Sequence, residues 1–472
     1  MKKITFIFIL FASLETITYG QVLNYYYGNL HSHSGYSDGN KDSSSTLVSK
    51  PSGDYSFAKA SLHFDFLGIS EHNHFSSNNN PGMIRTSYGL GLAQAAAANQ
   101  DGTFLCLYGM EWGVSTTTGS GHVIIYGFNQ LIGWEPSAPG LSGPNYDIFI
   151  DKTDYFSLFR LIKNTPNSFC YLAHPWWSDF QNLSNLSYSA MVDSAIVGVP
   201  FRSGLAMSTF TNYSDYPAGD YFQYYQKMLS LGYHIGIGYD HDNHNLTFGR
   251  NNAGRLVIMA PALTQSDLYY AMKNMHFYAS DDWNTKLDFK IGSKTIGDST
   301  SGLTPPTISF VHNDDDGEIA DTIRLWSGTE GSLAYSTVLT KVSGNNTLSF
   351  TDNAMAPGTN KYYFVEVIQP DGDRIVSSPI WYRLSNFAGV NELQNNISVV
   401  AFPNPVNSVL YLSTDLKEPF AIEISNANGQ VVSEQVSTSP DAKISTAKFA
   451  KGFYYLKITS GNKSKVQKII IE

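Results

Sequence analysis

Short apolar runs alternate with helical patterns from residue 21 to about residue 298, and this alternation constrains the fold more than any other feature of the chain. Five strand-like runs lie at residues 64–70, 103–109, 122–128, 168–173 and 233–238. Helical patterns lie at residues 55–62, 93–98, 155–163 and 221–231. Nearly continuous apolar strands separated by helices are typical of a parallel sheet covered by helices. With this many units, we expect a closed β/α barrel.

Polar side chains cluster where these strands end. The clusters lie at residues 71–74, 109–112, 174–177 and 240–244, whereas His122 stands at the start of its strand. A further pair, His31 and His33, follows an aromatic, strand-like run at residues 25–27. In an extended backbone, side chains two residues apart leave the same face. Barrel enzymes carry their active-site groups at the carboxyl ends of the strands, so the sequence predicts one site there.

The side chains at these strand ends are typical metal ligands. They are mostly imidazoles, accompanied by carboxylates such as Glu111 and Asp242. Nitrogen and oxygen donors of this kind suit Zn²⁺, Mn²⁺ or Fe²⁺, each of which binds about four to six ligands. The strand ends and the loop after His33 supply nine candidate ligands, which are named in the next paragraph, and nine ligands imply two or three ions. The only two cysteines, Cys106 and Cys170, are not at these ends, and we expect no disulfide between them.

The order of the motifs resembles that of the PHP (polymerase and histidinol phosphatase) superfamily, in particular its secreted, carbaryl-hydrolase-like branch. The motifs are LHSHSGYSDG, ISEHN, GMEW, an isolated GH, AHP and DNH, within residues 25–298. The resemblance implies a distorted (β/α)7 barrel with a multinuclear metal site. The ligands that it implies are His31, His33, Asp38, His72, Glu111, His122, His174, Asp242 and His244.

Several neighbouring residues have more than one interpretation. Family members commonly have an aspartate where this chain has Glu71, and Asp240 is a rival to Asp242 as a ligand. We expect substrate or supporting contacts from seven residues outside the ligand set, namely Glu71, His74, Trp112, Trp176, Asp240, His241 and Arg250. The alternatives are solvated loop positions for the two histidines, packing for the tryptophans, and an arginine that binds loop carbonyls.

These residues favour a secreted metal-dependent hydrolase. A metal-bound hydroxide would cleave a phosphoester, or a carboxylic or carbamic ester, in a small-molecule or glycan-linked substrate. The alternative is a surface-exposed binding protein whose metal site is structural or captures a ligand. An amidohydrolase-type barrel also begins with His-x-His, but it usually needs a lysine at a strand end, and Lys163 and Lys227 lie in helical stretches.

The amino terminus indicates export. Lys2 and Lys3 precede an apolar run at residues 4–14, and small residues before Gln21 suit cleavage, so residues 1–20 read as a signal peptide. The run is shorter than the ~20 residues of a membrane span, and we expect no integral membrane segment in the mature protein. The formal net charge of −10 and the lack of basic runs argue against nucleic acid as a partner.

Beyond the predicted barrel domain, residues 21–298, the pattern changes to the alternation of antiparallel strands. Residues 299–384 read as a small β-sandwich accessory domain, and residues 385–398 as a polar linker. The Asp-Asp-Asp-Gly sequence at residues 314–317 could indicate a calcium loop, but the remaining ligand pattern is missing. We therefore interpret it as an acidic turn.

Residues 399–472 read as a second sandwich with four recognisable motifs. They are FPNP at 402–405, ISNANGQ at 424–430, GFYY at 452–455 and the run at 465–471. Their order resembles the type A C-terminal sorting domain of the type IX secretion system of Bacteroidetes. The resemblance implies that the type IX secretion machinery is a partner, and that the protein passes through the periplasm and the outer membrane to become secreted or cell-surface.

Overall fold

The computed structural model describes residues 22–74, 83–114, 119–134, 143–217, 219–386, 397–461 and 463–472. The chain divides into two compact units, Met1–Asn386 and Phe387–Glu472. The predicted signal peptide, and the predicted linker except at its ends, lie outside the described residues. Within the described residues, no helix is both long enough and apolar enough to cross a membrane.

The first unit consists mainly of strands. Its strands are β1 Asn24–Asn29, β2 Phe66–His72, β3 Leu105–Val114, β4 Gly121–Tyr126, β5 Ile132–Gly133, β6 Ile148–Phe149, β7 Phe169–Ala173, β8 Ile196–Ser203, β9 Gly236–Asp240, β10 Arg255–Ala260, β11 Phe277–Ser280, β12 Thr285–Ile291, β13 Lys294–Thr295, β14 Ser299–Gly302, β15 Thr307–Asp314, β16 Thr322–Thr329, β17 Thr337–Ser343, β18 Thr347–Thr351, β19 Asn360–Ile368, β20 Arg374–Ser377 and β21 Ile380–Leu384. Its α-helices are α1 Ser43–Thr46, α2 Pro51–Ala58, α3 Arg85–Ala98, α4 Tyr155–Lys163, α5 Asp179–Asn182, α6 Ala190–Asp193, α7 Phe222–Leu231 and α8 Gln265–Lys273, with a 3-10 turn at Leu183–Asn185.

A single mixed sheet contains most of these strands. Its strand order is β14-β21-β19-β20-β11-β10-β1-β2-β3-β4-β7-β8-β9, and β16 and β17 continue from β19. The pairs β1/β2, β2/β3, β7/β8 and β8/β9 are parallel. The pairs β1/β10, β10/β11, β3/β4 and β4/β7 are antiparallel.

The prediction of a distorted (β/α)7 barrel followed by two small antiparallel β-sandwich domains is wrong, because the described residues within 21–298 form no barrel and residues 299–384 form no separate sandwich. The ladder of described strands runs from β14 to β9 without closing, and it mixes both strand directions. Three of the eight α-helices among the described residues have only four residues, so the described helices do not alternate regularly with the strands. Strands of the predicted accessory domain also pair into the same sheet. A continuous apolar run indicates that a strand is buried on both faces. It does not indicate whether the neighbouring strand runs parallel or antiparallel to it.

Two apolar cores stabilise this unit. The first core contacts both faces of β2, β3, β4 and β7, because it contains consecutive residues such as Leu105 and Cys106, and it also includes Ile124 and Ile237. The second core lies between the sheet β13-β12-β15-β18 and the strands β16, β19, β20 and β21. It also takes Tyr27 and Tyr278 from the opposite face of β1 and β11. The central strands are therefore buried on both faces, which explains their continuous apolar sequence.

The second unit contains two sheets that enclose a third core. Its strands are β22 Val399–Phe402, β23 Val409–Thr414, β24 Phe420–Asn426, β25 Val431–Ser437, β26 Asp441–Ser445, β27 Gly452–Ser460 and β28 Lys463–Ile471. They form the sheets β22-β23-β26 and β25-β24-β27-β28. Leu410, Ile422 and Leu456 lie in the core between them, while alternate residues along β27 face solvent.

Arg255, at the start of β10, is a buried polar anchor in the first unit. Its guanidinium donates hydrogen bonds of 2.7–3.0 Å to backbone carbonyls that come from two distant segments of the chain. The acceptors are Leu62, His63, Gly249, Asn252 and Gly254. Burial lowers the pKa of Arg255 to about 10, so it remains charged at neutral pH.

We expect Arg255→Met to lower the free energy of unfolding by about 3 kcal/mol or more, because five backbone carbonyls lose a charged donor and three of these hydrogen bonds are fully buried. Urea denaturation at pH 7 measures this change. The matched control is Arg85→Met, whose side chain is 61% exposed and should change stability by about 0.5 kcal/mol or less. Equal denaturation midpoints for the two variants would contradict the anchoring role of Arg255.

Candidate metal centre

Strand register brings the predicted ligands to one edge of the large sheet. His72, the last residue of β2, stands opposite Glu111 of β3. His122 stands opposite Ala173 of β7, the residue before His174. Because β4 runs antiparallel to β3, its first residues lie at the edge where β2, β3 and β7 end. This explains why His122 belongs to the group although it begins its strand.

The chain after β9 returns to the chain after β1. Ser32 and Asn243 form an isolated parallel bridge, and the backbone amide of His33 donates to the carbonyl of Asn243 over 2.9 Å. This contact places Asp242 and His244 beside His31 and His33. All nine predicted ligands therefore lie together, and we call them the nine-residue cluster.

The carboxylate of Glu111 is the centre of the cluster. Oε1 lies 3.0–3.2 Å from ring nitrogens of three histidines, and Oε2 lies 3.2–3.3 Å from ring nitrogens of two more. The first three are His31, His122 and His174, and the other two are His33 and His72. Glu111 is only 1% exposed, so water does not replace these contacts.

Two further carboxylates complete the cluster. Asp242 Oδ1 lies 3.1 Å from Nε2 of His31 and 3.2 Å from Nε2 of His33. Asp38 Oδ1 lies 3.3 Å from Nε2 of His244 and 3.7 Å from Nε2 of His72. Each carboxylate therefore faces at least two imidazoles.

The loop that carries Asp38 folds back over the strand end. A side chain at Gly39 would meet the carbonyl oxygen of His33 at 2.1 Å, so this close approach requires glycine. Glu71 lies beneath the loop and accepts hydrogen bonds from the hydroxyls of Ser34 and Ser37. Glu71 thus fixes the loop from outside the nine-residue cluster.

The donor set fits divalent metal ions. Three overlapping groups each bring their donor atoms within 4.8 Å of one another: His33, Asp38, His72 and His244; His31, His33, Glu111 and Asp242; and His72, Glu111 and His122. Two donors about 2.1 Å from one ion at near-tetrahedral or octahedral angles stand about 3.0–3.4 Å apart, which matches the contacts of Glu111. Among the described residues, His31 Nε2 and His72 Nδ1 are buried and lie 3.1–3.3 Å from carboxylate oxygens, but their geometry does not form a hydrogen bond.

Charge strongly shifts the titration of these groups. Burial raises the pKa of Glu111 and of Asp242, but the surrounding histidines lower both pKa values well below the usual range. Burial lowers the pKa of His33, yet hydrogen bonds to Asp242 and Glu111 raise it to about 10. The cluster thus holds carboxylates in their ionised, metal-binding form.

Two cluster residues have backbone conformations that L-amino acids rarely adopt. His174 has a φ of 25° and Asp242 has a φ of 52°. Such conformations cost about 1–3 kcal/mol each and persist only where surrounding structure enforces them. Here the left-handed turn at Asp242 separates its carboxylate from that of Asp240.

Asp240 and Asp242 occupy different places. Asp242 lies inside the nine-residue cluster, whereas Asp240 lies behind His31, with Oδ2 3.2 Å from its Nδ1. Asp240 is 1% exposed, and burial raises its pKa. A buried carboxylate that accepts the Nδ1–H of a histidine fixes the ring so that Nε2 faces the opposite direction.

The remaining predicted contacts are spread around the cluster. His74 stacks on Trp134, and its ring centroid lies 5.9 Å from that of His72. His241 faces away from the cluster, with Nε2 2.8 Å from the carbonyl oxygen of Gly254. Burial lowers the pKa of His74 to about 4 and of His241 to about 3.

The large side chains near the cluster differ in exposure. Trp112 is fully buried and packs edge-on against Tyr155. Trp176 is 67% exposed, two residues after His174. Arg250 donates hydrogen bonds to the hydroxyl of Ser61 and to the carbonyl oxygen of Phe57. Its guanidinium therefore stabilises the loop after α2.

A cleft of about 370 Å³ opens onto the cluster. Six cluster residues form part of its wall: His72, Glu111, His122, His174, Asp242 and His244. Ser203, Gly204, Gly219 and Tyr221 form the rest. The sequence prediction missed these four, although the apolar run at residues 195–201 signals the strand β8 that carries Ser203.

Comparison with protein families matches only the end of the chain. Residues 400–472 match the secretion system C-terminal sorting domain. These residues are a sorting domain. The sorting domain comprises the strands β23 to β28 and most of β22, and it directs export by type IX secretion, so the protein is secreted or displayed on the cell surface. The prediction of the type IX machinery as a partner is thereby confirmed.

No curated protein matches the chain. Similar solved structures include the chicken CNTN1 FN1-FN3 domains, at 16% identity over 38% of this chain and 65% of that one, with a TM-score of 0.17. The Clostridium thermocellum CbhA fibronectin(III)-like modules have 11% identity over 39% and 93%, with a TM-score of 0.16. The human OSCAR ligand-binding domain has 16% identity over 40% and 95%, with a TM-score of 0.18. At such scores these likenesses carry no functional argument.

The shifted pKa values predict how stability depends on pH in the presence of a chelator. Glu111 and Asp242, with lowered pKa values, stabilise the fold above about pH 4.5, and their contribution is lost as the pH falls. His33, with a pKa raised from 6.5 to about 10, stabilises it below pH 6.5, and this contribution is lost as the pH rises through 10. We expect the free energy of unfolding to fall by about 2 kcal/mol or more between pH 6.5 and 10.

Urea denaturation across this pH range measures the effect. Glu111→Gln removes one cause of the raised pKa of His33. The free energy of unfolding of this variant should therefore fall clearly less between pH 6.5 and 10 than that of the parent protein. An equally steep decrease in both proteins would contradict the assignment.

Proposed function

We propose that this exported protein is a metal-dependent hydrolase that cleaves a phosphoester, or a carboxylic or carbamic ester. One observation carries the proposal: a buried carboxylate, Glu111, contacts five imidazoles at the wall of an open cleft. A purely structural site usually closes around one ion with four ligands. Nine donors beside a cleft exceed that need and favour catalysis.

The nine-residue cluster would hold two or three divalent ions of Zn, Mn or Fe. The ligands are imidazole nitrogens and carboxylate oxygens, which suit all three metals, so supply in the cell would decide the identity. When bound, such ions lower the pKa of water and polarise an ester or phosphoryl oxygen. No serine or cysteine nucleophile is needed, and both thiols are buried and free, away from the cluster.

The resemblance of the motifs to the PHP superfamily supports the same proposal. It concerns the order and type of the site residues, and it does not depend on a barrel. The sorting domain indicates where the substrate is found, because a secreted or cell-surface hydrolase acts on substrates outside the cell. Small-molecule or glycan-linked esters are the substrates that we propose.

Asp240 orients one of the ligands. Its carboxylate accepts the proton on Nδ1 of His31, so Nε2, which lies 3.1 Å from Glu111 and from Asp242, would be the nitrogen that binds a metal. The side-chain amide of Asn29 donates to the carbonyl oxygen of His31 and fixes the backbone. These contacts hold the imidazole in the one tautomer that can bind a metal at the cluster.

Tyr221 gives the cleft a hydrogen-bond donor. It lines the cleft together with six residues of the nine-residue cluster, and it lies just before α7. Burial raises the pKa of Tyr221 to about 12, so the hydroxyl keeps its proton at neutral pH. A neutral donor in this place can bind a substrate oxygen and stabilise the charge that develops on it.

We expect Glu111→Gln to lose bound metal and to lower kcat/KM for an aryl phosphate or aryl ester by about 10³-fold or more, because the residue contacts five of the nine ligands. Elemental analysis of the purified protein and a substrate screen with and without chelator measure both effects. The matched control is His63→Asn, which changes an exposed histidine at a φ of 46°, where asparagine is tolerated.

The outcomes separate the two functions. Full metal content and full turnover in Glu111→Gln would refute the site. Stoichiometric metal in the parent protein without turnover on any ester would refute the hydrolase and favour a binding protein.

We expect Tyr221→Phe to lower kcat by about 10- to 100-fold with unchanged metal content, because it removes one hydrogen-bond donor and no ligand. Steady-state kinetics on the best substrate of the screen, together with elemental analysis, measure this. A kcat equal to that of the parent protein would exclude Tyr221 from the reaction.

A further inference from the structure

Arg374 is the first residue of β20, within the predicted accessory domain, yet it contacts the segment that forms one wall of the cleft. Its Nη1 lies 3.1 Å from Oδ2 of Asp220, the residue between Gly219 and Tyr221, which both line the cleft. Its guanidinium carbon lies 5.5 Å from the ring centroid of Phe222, the residue after Tyr221. Arg374 therefore contacts both neighbours of Tyr221 in the chain.

Arg374 also contacts the residue that holds the backbone of Tyr221. The amide of Tyr221 donates a hydrogen bond to the carbonyl oxygen of Phe201 over 2.9 Å. The guanidinium carbons of Arg374 and Arg202 each lie 4.7 Å from the centroid of the Phe201 ring. A cation over an aromatic ring is attracted by the negative face of the ring, so both guanidinium groups hold Phe201 in place.

The ring of Tyr221 packs against the backbone of Gly219. A Cβ atom at Gly219 would lie 2.6 Å from a ring carbon and 2.7 Å from the hydroxyl oxygen of Tyr221, so this close approach requires glycine. Between them, Oδ1 of Asp220 accepts the amide of Phe222 over 3.0 Å and shapes the start of α7. The position of the Tyr221 hydroxyl therefore depends on how residues 219–222 are held.

Arg374 is itself anchored by a buried carboxylate. Its Nη2 lies 2.7 Å and its Nε 2.9 Å from Oε1 of Glu366, a residue of β19 that is 1% exposed. Oε2 of Glu366 accepts hydrogen bonds from Arg324 and Trp326 of β16, each over 3.1 Å. Asp220 is 44% exposed, and ion pairs at such sites are usually weak because ordering the side chains costs entropy. Here Glu366 already orders the guanidinium, so its contact with Asp220 costs less.

We propose that Arg374 is a positioning residue that holds the Tyr221 hydroxyl where it can bind a substrate oxygen. The inference rests on the proposed function, in which Tyr221 stabilises the charge that develops on that oxygen. Arg374 is not one of the described residues that line the cleft, so it acts through Asp220, Phe201 and Phe222. The strands β16, β19 and β20 then belong to the hydrolase and are not a separate recognition module.

A double-mutant cycle tests the proposal. Arg374→Gln should lower kcat by about 10-fold on the best substrate of the screen, with unchanged KM and metal content, because a misplaced donor stabilises only the transition state less well. In the Tyr221→Phe background, the same change should lower kcat by less than about twofold, because the donor is already absent. Asp220→Asn keeps an oxygen for the amide of Phe222 but loses the charge that pairs with Arg374. It gives a second variant, with the same dependence on Tyr221, if Arg374→Gln does not fold.

The matched control is Arg324→Gln. It removes the other arginine that pairs with Glu366, at 3.1 Å. Within the described residues, Arg324 forms no ion pair or cation–π contact with the segment that holds Tyr221. Its kcat should stay within about twofold of that of the parent protein. A loss of kcat in Arg374→Gln that is equal with and without the Tyr221 hydroxyl, or equal to that of Arg324→Gln, would overturn the proposal.

A measurement without turnover separates this proposal from the hydrolase. With 3-fluorotyrosine incorporated at position 221 alone, the protein gives a single ¹⁹F resonance. We expect Arg374→Gln to shift or broaden this resonance, and Arg324→Gln to leave it unchanged. An unchanged resonance in Arg374→Gln would overturn the positioning role even if the protein hydrolyses esters. A changed resonance without turnover in any of the proteins would support the positioning role and refute only the hydrolase.

Discussion

The carboxylate of Glu111 is the contact on which the first unit depends. It lies buried among five imidazoles that come from four strand ends. A buried carboxylate is costly unless nearby positive charge or donors compensate it. The ends of β1, β2, β3 and β7 and the start of β4 must therefore stay together, and the strand register holds them there. The cleft, the folded loop at Asp38 and the return of the chain after β9 follow from this arrangement.

Local sequence pattern predicted which side chains would meet. Strands occur at all five predicted runs, and α4 at Tyr155–Lys163 coincides with the predicted helix. The spacing of His31 and His33 also predicted a shared face, and their ring centroids lie 5.5 Å apart. Alternation and strand ends are local properties, so a single sequence reveals them.

Topology was not predictable from the same patterns. The antiparallel direction of β4 and β10 depends on turns and long-range pairing, whereas an apolar run looks the same in either direction. The strand β8 was missed although residues 195–201 form an apolar run, and its pairing with β9 shifts register between Pro200 and Arg202. Tyr221 begins the predicted helical pattern at residues 221–231, and helical periodicity does not indicate that a side chain just before α7 will line the cleft. The distinction between Asp240 and Asp242 depends on one left-handed residue.

The two units have different roles. The sorting domain directs export, and the first unit carries every group that we assign to chemistry. Crystallographic anomalous scattering at the Mn, Fe and Zn edges, on protein purified without added metal, tests the central claim most directly. The account predicts two or three peaks about 2.0–2.3 Å from Glu111 and the imidazole nitrogens around it. A well-ordered cluster with no anomalous peak within bonding distance of Glu111, even after soaking with these metals, would contradict it.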